Sequence, residues 1–146
     1  MPPITRWFIK SGMIWFCLGV VLALVAELPS VQGRALLLPV YWHMLVIGWI
    51  TQVIMGVSVW MFPRKKRNRK KEQSALAVGA FYLLNGGLVV RLSTEPFLPL
   101  FTESGILSGV VIFSAVLQVS AILLYIGEIW PRVQPKAKRK RSKQGG

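Results

Sequence analysis

Residues 37–62 read LLPVYWHMLVIGWITQVIMGVSVWMF and decide the fold of this chain. The run contains no Asp, Glu, Lys or Arg, and it is longer than the ~20 apolar residues that a helix needs to cross a bilayer. A helix also keeps every backbone N–H and C=O group hydrogen-bonded inside lipid. The stretch therefore predicts a membrane-spanning helix.

Three more apolar segments resemble this one in length and composition. They cover about residues 7–28, 74–92 and 105–129, and prolines lie at or just beyond the segment ends, where they stop helices without breaking them. The sequence therefore predicts an all-α integral membrane four-helix bundle over residues 1–131. Residues 132–146 are predicted to form a basic cytoplasmic tail without fixed structure.

Composition supports a membrane protein. The chain is 53% hydrophobic and 16% charged, against about 25% charged in a typical soluble domain. Cys17 is the single cysteine, which excludes a disulfide framework. The net charge of +13 comes from two blocks of Lys and Arg beside apolar spans, so anionic lipid headgroups are the expected partner and nucleic acid is not.

The basic blocks also predict the orientation. One block, residues 64–71, joins the second and third spans, and the other is the tail, whereas the first and third loops carry glutamates. Because Lys and Arg accumulate in cytoplasmic loops, both termini are predicted to be cytoplasmic. The expected location is a cell membrane, as a multi-pass protein, with a bacterial inner membrane as the best match. A cleaved signal peptide is the alternative for the first segment, but its long apolar part and the lack of a clear cleavage site favour a retained helix.

Small and polar residues in the spans indicate which faces pack. Gly48, Gln52 and Gly56 recur every four residues, which predicts a close contact with another helix, and Asn85 is expected beside a similar stripe that includes Gly86. Gly105 and Gly109 suggest a third close contact. On a regular helix, His43 lies on a different stripe and is expected to point away from the glycines.

His43, the only histidine, is the main candidate for chemistry. The topology places it about 9 Å below the outer surface, at the level of Arg91, Glu27 and Glu95. One reading is structural: Arg91 pairs with Glu27 or Glu95, and a backbone carbonyl satisfies His43. The other reading is a heme or quinone site, in which His43 is an axial iron ligand and Arg91 binds a heme propionate or a quinone oxygen.

The cofactor reading requires a partner. A six-coordinate b-type heme normally takes two strong ligands, and the chain has one histidine. The second ligand would come from a partner chain, from a second copy, or from a methionine such as Met55. Met44 follows His43 directly and cannot face it across the same heme.

Residues 43–64, HMLVIGWITQVIMGVSVWMFPR, resemble a helix of heme-copper oxidase subunit I, closest to the cbb3 and nitric-oxide-reductase branch. They look most like short four-helix relatives that read His-x-His, then Gly-Trp, a later Gly and a terminal Phe-Pro-Arg. Residues 85–91 and Glu95-Pro96 resemble the third helix of that group and its following loop. The resemblance implies that His43 is an axial ligand of a low-spin heme. Tyr41 replaces the first histidine of the pair.

Three functions follow from these observations. The first is an accessory or electron-transfer subunit related to oxidases, which holds heme b or quinone at His43 and Arg91 with a partner's help. The second is a structural subunit of a respiratory or photosynthetic complex with no cofactor, and the third is a small transporter. Other membrane subunits or further copies of the chain are expected partners. Oxygen or nitric oxide reduction by this chain alone is excluded, because the remaining oxidase histidines have no counterpart.

Overall fold

The computed structural model describes residues 1–29, 34–62, 74–100 and 105–133. Within these ranges the protein consists of helices without strands. The helices are α1 (Pro3–Ala26), α2 (Arg34–Met61), α3 (Ala75–Thr94) and α4 (Gly105–Ile129), with short 3₁₀ segments at Glu95–Leu100 and Trp130–Arg132. All four helices are long and apolar enough to cross a membrane, which confirms the predicted helix count and class. The basic loop at 64–71 and residues 134–146 of the tail lie outside the described residues.

The helix ends differ slightly from the predicted spans. The first helix begins at Pro3 rather than near residue 7, because proline at the first helical position needs no N–H partner and already has a helical φ. At the other end, α4 continues into the 3₁₀ turn Trp130–Arg132. Arg132, which the sequence assigned to the tail, therefore belongs to the folded part.

Helices α1 and α2 form an antiparallel hairpin that is closely packed through glycine. A Cβ atom on Gly56 of α2 would lie 2.8 Å from Cβ of Phe8, and one on Gly19 of α1 would lie 2.9 Å from Cδ2 of Leu45. The second hairpin, α3 with α4, is packed in the same way around Gly87, where an added Cβ would lie 3.0 Å from the Ser114 carbonyl oxygen. Real Cβ atoms do not come this close without a shift of the neighbour, so these helices meet where glycine permits it.

The two hairpins meet in an apolar core. Phe8 of α1 is fully buried and packs edge-on against Phe81 of α3, with ring centroids 5.2 Å apart. Leu84 and Met55 fill the same cluster, which Ala121 of α4 closes. The outward faces of all four helices carry large apolar side chains, an arrangement that suits an apolar environment rather than water.

The hydrogen bonding of α2 changes along its length. Arg34–His43 and Gln52–Met61 are α-helical, whereas Met44–Thr51 between them is π-helical, with i→i+5 bonding in place of i→i+4. We call Met44–Thr51 the π segment. It begins at the residue after His43, and the hydroxyl of Thr51 donates a 2.9 Å hydrogen bond to the carbonyl oxygen of Val46 within it.

Three glycines that were predicted to contact another helix make no such contact among the described residues. No atom there lies within 4 Å of a Cβ built on Gly86, Gly105 or Gly109. On α3, the contact with α4 is made instead by the neighbouring Gly87, one residue further along and therefore about 100° around the helix. Spacing alone does not tell which of two adjacent glycines faces a neighbouring helix.

Candidate functional site

His43 is the last residue of the first α-helical part of α2. Its ring is held by its own helix, because Nδ1 lies 2.8 Å from the carbonyl oxygen of Pro39, one turn earlier. A carbonyl oxygen has two lone pairs and can accept a bond from a side chain as well as from the backbone. The imidazole is 25% exposed, so it lies at the edge of the bundle and not in its core.

Glu95 approaches the same nitrogen from α3. It is the first residue of the 3₁₀ segment that follows α3, its side chain is 10% exposed, and its Oε2 lies 3.0 Å from Nδ1 of His43. The other carboxylate oxygen, Oε1, lies 3.3 Å from Nη2 of Arg91, one turn earlier on the same helix. The carboxylate thus lies between an imidazole and a guanidinium. We call His43, Arg91 and Glu95 the His43 cluster.

The contacts of His43 determine which ring nitrogen carries the proton. Both oxygens near Nδ1, from Pro39 and Glu95, are hydrogen-bond acceptors, so Nδ1 is assigned the proton and a neutral ring has its lone pair on Nε2. Within the described ranges, Nε2 has no hydrogen-bond partner. Histidines that bind metals have this arrangement, with one nitrogen donating to a carbonyl or carboxylate and the other free to coordinate.

Two buried polar atoms of the His43 cluster lack hydrogen bonds within the described residues. They are Oε2 of Glu95 and Nε of Arg91. Nδ1 of His43 meets hydrogen-bond geometry with Pro39, so its 3.0 Å approach to Glu95 is a close electrostatic contact and not a second bond. A buried acceptor and a buried donor are therefore left beside the imidazole, and each is unfavourable unless another group binds it.

Glu27 lies apart from the His43 cluster. Its carboxylate pairs with Arg34 across the first loop, and both side chains are more than half exposed. Of the two partners predicted for Arg91, the structure provides Glu95. Of the four residues expected at one depth, Glu27 therefore forms an exposed ion pair with Arg34, and the other three form the His43 cluster.

A second polar group lies near the middle of the bundle and is centred on Asn85. Its Oδ1 accepts hydrogen bonds from Ser11 (2.8 Å) and Trp15 (2.9 Å) of α1 and from Gln52 (2.9 Å) of α2. Its amide nitrogen donates to the carbonyl oxygen of Phe81 at 2.9 Å. The sequence indicated Gln52 and Asn85 as packing residues but gave no sign of the two donors from α1, since a serine and a tryptophan are common in membrane helices.

The predicted glycine stripe of α2 lies against α1. A Cβ on Gly48 would lie 2.8 Å from the Trp15 side chain and 3.0 Å from Leu88 of α3. Gly56 lies against Phe8, as described above, and Gln52 between them is fully buried. These residues hold the bundle together.

A third polar group joins α2, α3 and α4 at the opposite end of the bundle, and it was not predicted from the sequence. Glu128 of α4 is 4% exposed, accepts a hydrogen bond from Ser74 at the start of α3 and pairs with Arg132. Arg132 also donates to the carbonyl oxygens of Val59 (3.3 Å) and Phe62 (3.0 Å) at the end of α2. The i,i+4 spacing of Glu128 and Arg132 was the signal that the sequence offered.

The residues present fit half of a heme site. His43 has the proton arrangement of an axial ligand, with its lone pair on Nε2. Met55, which the sequence offered as a second ligand, is 2% exposed and lies three turns further along α2 in the apolar core. Across the described residues, no group of three or more His, Cys, Asp and Glu side chains could hold a metal ion.

No protein-family model, curated protein or solved structure matches the chain. The likeness of residues 43–64 to oxidase subunit I stays a prediction from the sequence.

Proposed function

We propose that this protein is an integral membrane accessory subunit of an electron-transfer complex and that His43 supplies one axial ligand to a b-type heme shared with a partner chain. The proposal rests on the contacts of Nδ1 with the Pro39 carbonyl oxygen and the Glu95 carboxylate. With the proton on Nδ1, the lone pair of a neutral imidazole is on Nε2. The likeness of residues 43–64 to a heme-ligating helix supports the same role. A heme bound there would supply one-electron transfer.

The charges of the His43 cluster support this role. Arg91 and Glu95 cancel each other, so a neutral imidazole leaves no net charge to bury in apolar surroundings. A neutral imidazole is the form that coordinates iron. In this proposal Glu95 orients the ring through Nδ1, and Arg91 holds the carboxylate in place. His43 is 25% exposed, so part of its imidazole is accessible at the edge of the bundle, where another chain would bind.

The orientation is part of the proposal. The start of α1, with Arg6 and Lys10 exposed, lies at the same end of the bundle as Glu128 and the end of α2. The sequence continues from that end of α2 into the basic loop, and from α4 into the basic tail. From the positive-inside rule we infer that this end lies in the cytoplasm, with His43 near the outer surface and anionic lipid at the basic segments; a bacterial inner membrane is the proposed location.

Visible spectroscopy of the native complex tests the heme. Membranes that contain the full chain with its natural partners are solubilised in mild detergent, the complex is purified, and dithionite is added. Sharp reduced cytochrome bands are expected, and His43→Ala is expected to remove the bands that belong to this subunit. Trp42→Ala is the matched control, since Trp42 is the neighbouring residue and is 52% exposed. A complex without extractable heme contradicts the proposal.

Quinol is the second candidate ligand. The unbonded Oε2 of Glu95 and Nε of Arg91 favour it, because a hydroxyl could donate to the carboxylate and a quinone oxygen could accept from the guanidinium. The measurement is quinone in an organic extract of the purified complex, with and without Arg91→Gln. Quinone that depends on Arg91 in a heme-free complex supports this candidate. Its absence from a heme-free complex leaves the purely structural subunit, in which the His43 cluster only ties α2 to α3.

A further inference from the structure

Two contacts join α2 to α3 and the turn that follows it. Gln52 bonds Asn85 at 2.9 Å, and Nδ1 of His43 lies 3.0 Å from Oε2 of Glu95. From the first contact to the second, the residue number falls from 52 to 43 on α2 and rises from 85 to 95 on the α3 side. This is the pattern expected of antiparallel helices. Both side chains of α2 therefore face the same neighbouring helix, although the sequence predicted that His43 points away from the stripe that contains Gln52.

A regular α-helix cannot make both contacts. His43 and Gln52 are nine residues apart, and nine steps of about 100° turn a helix by about 900°, which puts the two side chains on opposite faces. The residues between them form the π segment, Met44–Thr51. Its i→i+5 bonds place about one extra residue in a turn, so nine steps turn about as far as eight α-helical steps, ~800°. That angle leaves His43 and Gln52 within about a quarter turn of each other.

The pattern of exposure along α2 agrees with this geometry. Exposed apolar side chains recur every four residues without drifting to another face. They are Trp42 (52%), Val46 (41%), Ile50 (44%) and Ile54 (59%). In a regular α-helix this spacing drifts by about 40° at each step, so the last of them would face about 120° away from the first. The slower rotation of the π segment keeps all four on the outer face.

We propose that the π segment is the element that positions His43. It takes up one extra residue of α2, and by doing so it turns the imidazole toward Glu95 while Gln52 stays bonded to Asn85. This proposal rests on the proposed function, because cofactor binding is the reason that we give for the position of the imidazole. The test measures the ¹⁵N resonances of the imidazole in protein without added cofactor. A failure of heme binding and a failure of positioning therefore give different results.

The test is a one-residue deletion within the π segment. Deletion of Ile50 should convert the segment to regular α-helix and preserve the contact between His43 and Glu95, because eight α-helical steps then join His43 to Gln52. Since the chain has one histidine, ¹⁵N-labelled imidazole gives one set of signals. The readout is the shift of the Nδ1 and Nε2 resonances that Glu95→Gln causes in the full chain in lipid bilayers.

Two controls accompany the deletion. Val89 is 50% exposed and lies in the regular α-helix between Asn85 and Glu95, so its deletion should rotate Glu95 by about 100° and abolish the shift. Ile50→Ala removes the side chain without changing the spacing and should retain the shift. The expected result is a shift kept without Ile50 and lost without Val89. The proposal is overturned if the protein without Ile50 unfolds or loses the shift while Ile50→Ala retains it, or if the protein without Val89 keeps it.

Discussion

Gln52 donates a 2.9 Å hydrogen bond to Oδ1 of Asn85 and so joins α2 to α3 inside the bundle. The same oxygen accepts from Ser11 and Trp15 of α1, which makes one amide the meeting point of three helices. Hydrogen bonds between membrane helices contribute ~0.6 kcal/mol each on average. The three together are therefore expected to contribute about 2 kcal/mol to the free energy of unfolding.

Asn85→Leu should accordingly lower the free energy of unfolding by about 2 kcal/mol, because it removes the shared acceptor and leaves three donors without it. Unfolding of the purified protein by a denaturing detergent, followed by circular dichroism, measures the change. Val89→Leu, on the exposed face of the same helix, is the control and should have little effect. Equal stability of the two variants would show that the Asn85 bonds contribute nothing net.

Gly48 and Gly86 allow a comparison between a glycine that packs closely against another helix and one that does not. A methyl group on Gly48 would come within 2.8 Å of Trp15, whereas no described atom lies within 4 Å of one on Gly86. Gly48→Ala should therefore lower stability by about 1–3 kcal/mol, and Gly86→Ala should stay within about 0.5 kcal/mol of the parent. The same detergent titration checks both variants. A larger loss for Gly86→Ala would mean that this face of α3 is covered in the purified protein.

Arg132 and Arg34 allow a comparison between a buried and an exposed ion pair. Each pairs with a glutamate, but the side chain of Arg132 is 8% exposed and that of Arg34 is 57% exposed. Arg132→Met removes the guanidinium that pairs with the buried carboxylate of Glu128 and should destabilise the protein by about 3 kcal/mol, whereas Arg34→Met should change its stability by less than about 1 kcal/mol. Arg132→Met combined with Glu128→Gln should recover part of the loss. If the double variant is no more stable than Arg132→Met, the ion pair is not the reason for the effect.

Labelling of single cysteines tests the proposed orientation. With Cys17 replaced by serine, Asn68→Cys places a thiol in the basic loop and Ser104→Cys places one in the third loop. A membrane-impermeant maleimide added to intact cells should label position 104 and reach position 68 only after the cells are opened. The opposite pattern would invert the orientation, and it would put His43 near the cytoplasmic face.

The apolar runs were sufficient to predict the four helices, because crossing lipid requires long uncharged segments and these are visible in composition alone. The position of His43 could not be predicted in the same way. A regular period placed it opposite Gln52, and the π segment that brings it back depends on a shift of hydrogen bonding by one residue, which no residue type in Met44–Thr51 indicates.

The polar contacts were predictable in part. Arg91 inside an apolar run requires a carboxylate, and Glu95 was one of the two candidates that the predicted topology placed at its depth. Which donors converge on Asn85 could not be known without the packing of α1, since Ser11 and Trp15 look like ordinary residues of a span. The contacts of Glu128 could not be predicted from the sequence, because they depend on the start of α3 lying against the end of α4.

The donors to Asn85 have a consequence for biogenesis. All three, Ser11, Trp15 and Gln52, belong to α1 and α2, which leave the ribosome before α3 does. Within α3 alone the amide nitrogen of Asn85 still bonds the carbonyl oxygen of Phe81, but Oδ1 has no donor, and lipid cannot supply one. If the first hairpin is already inserted when α3 enters the membrane, Ser11, Trp15 and Gln52 are in place to donate hydrogen bonds to Asn85. If the helices insert in the order of synthesis, a version permuted to begin at α3 would expose Oδ1 of Asn85 to lipid before Ser11, Trp15 and Gln52 could donate to it.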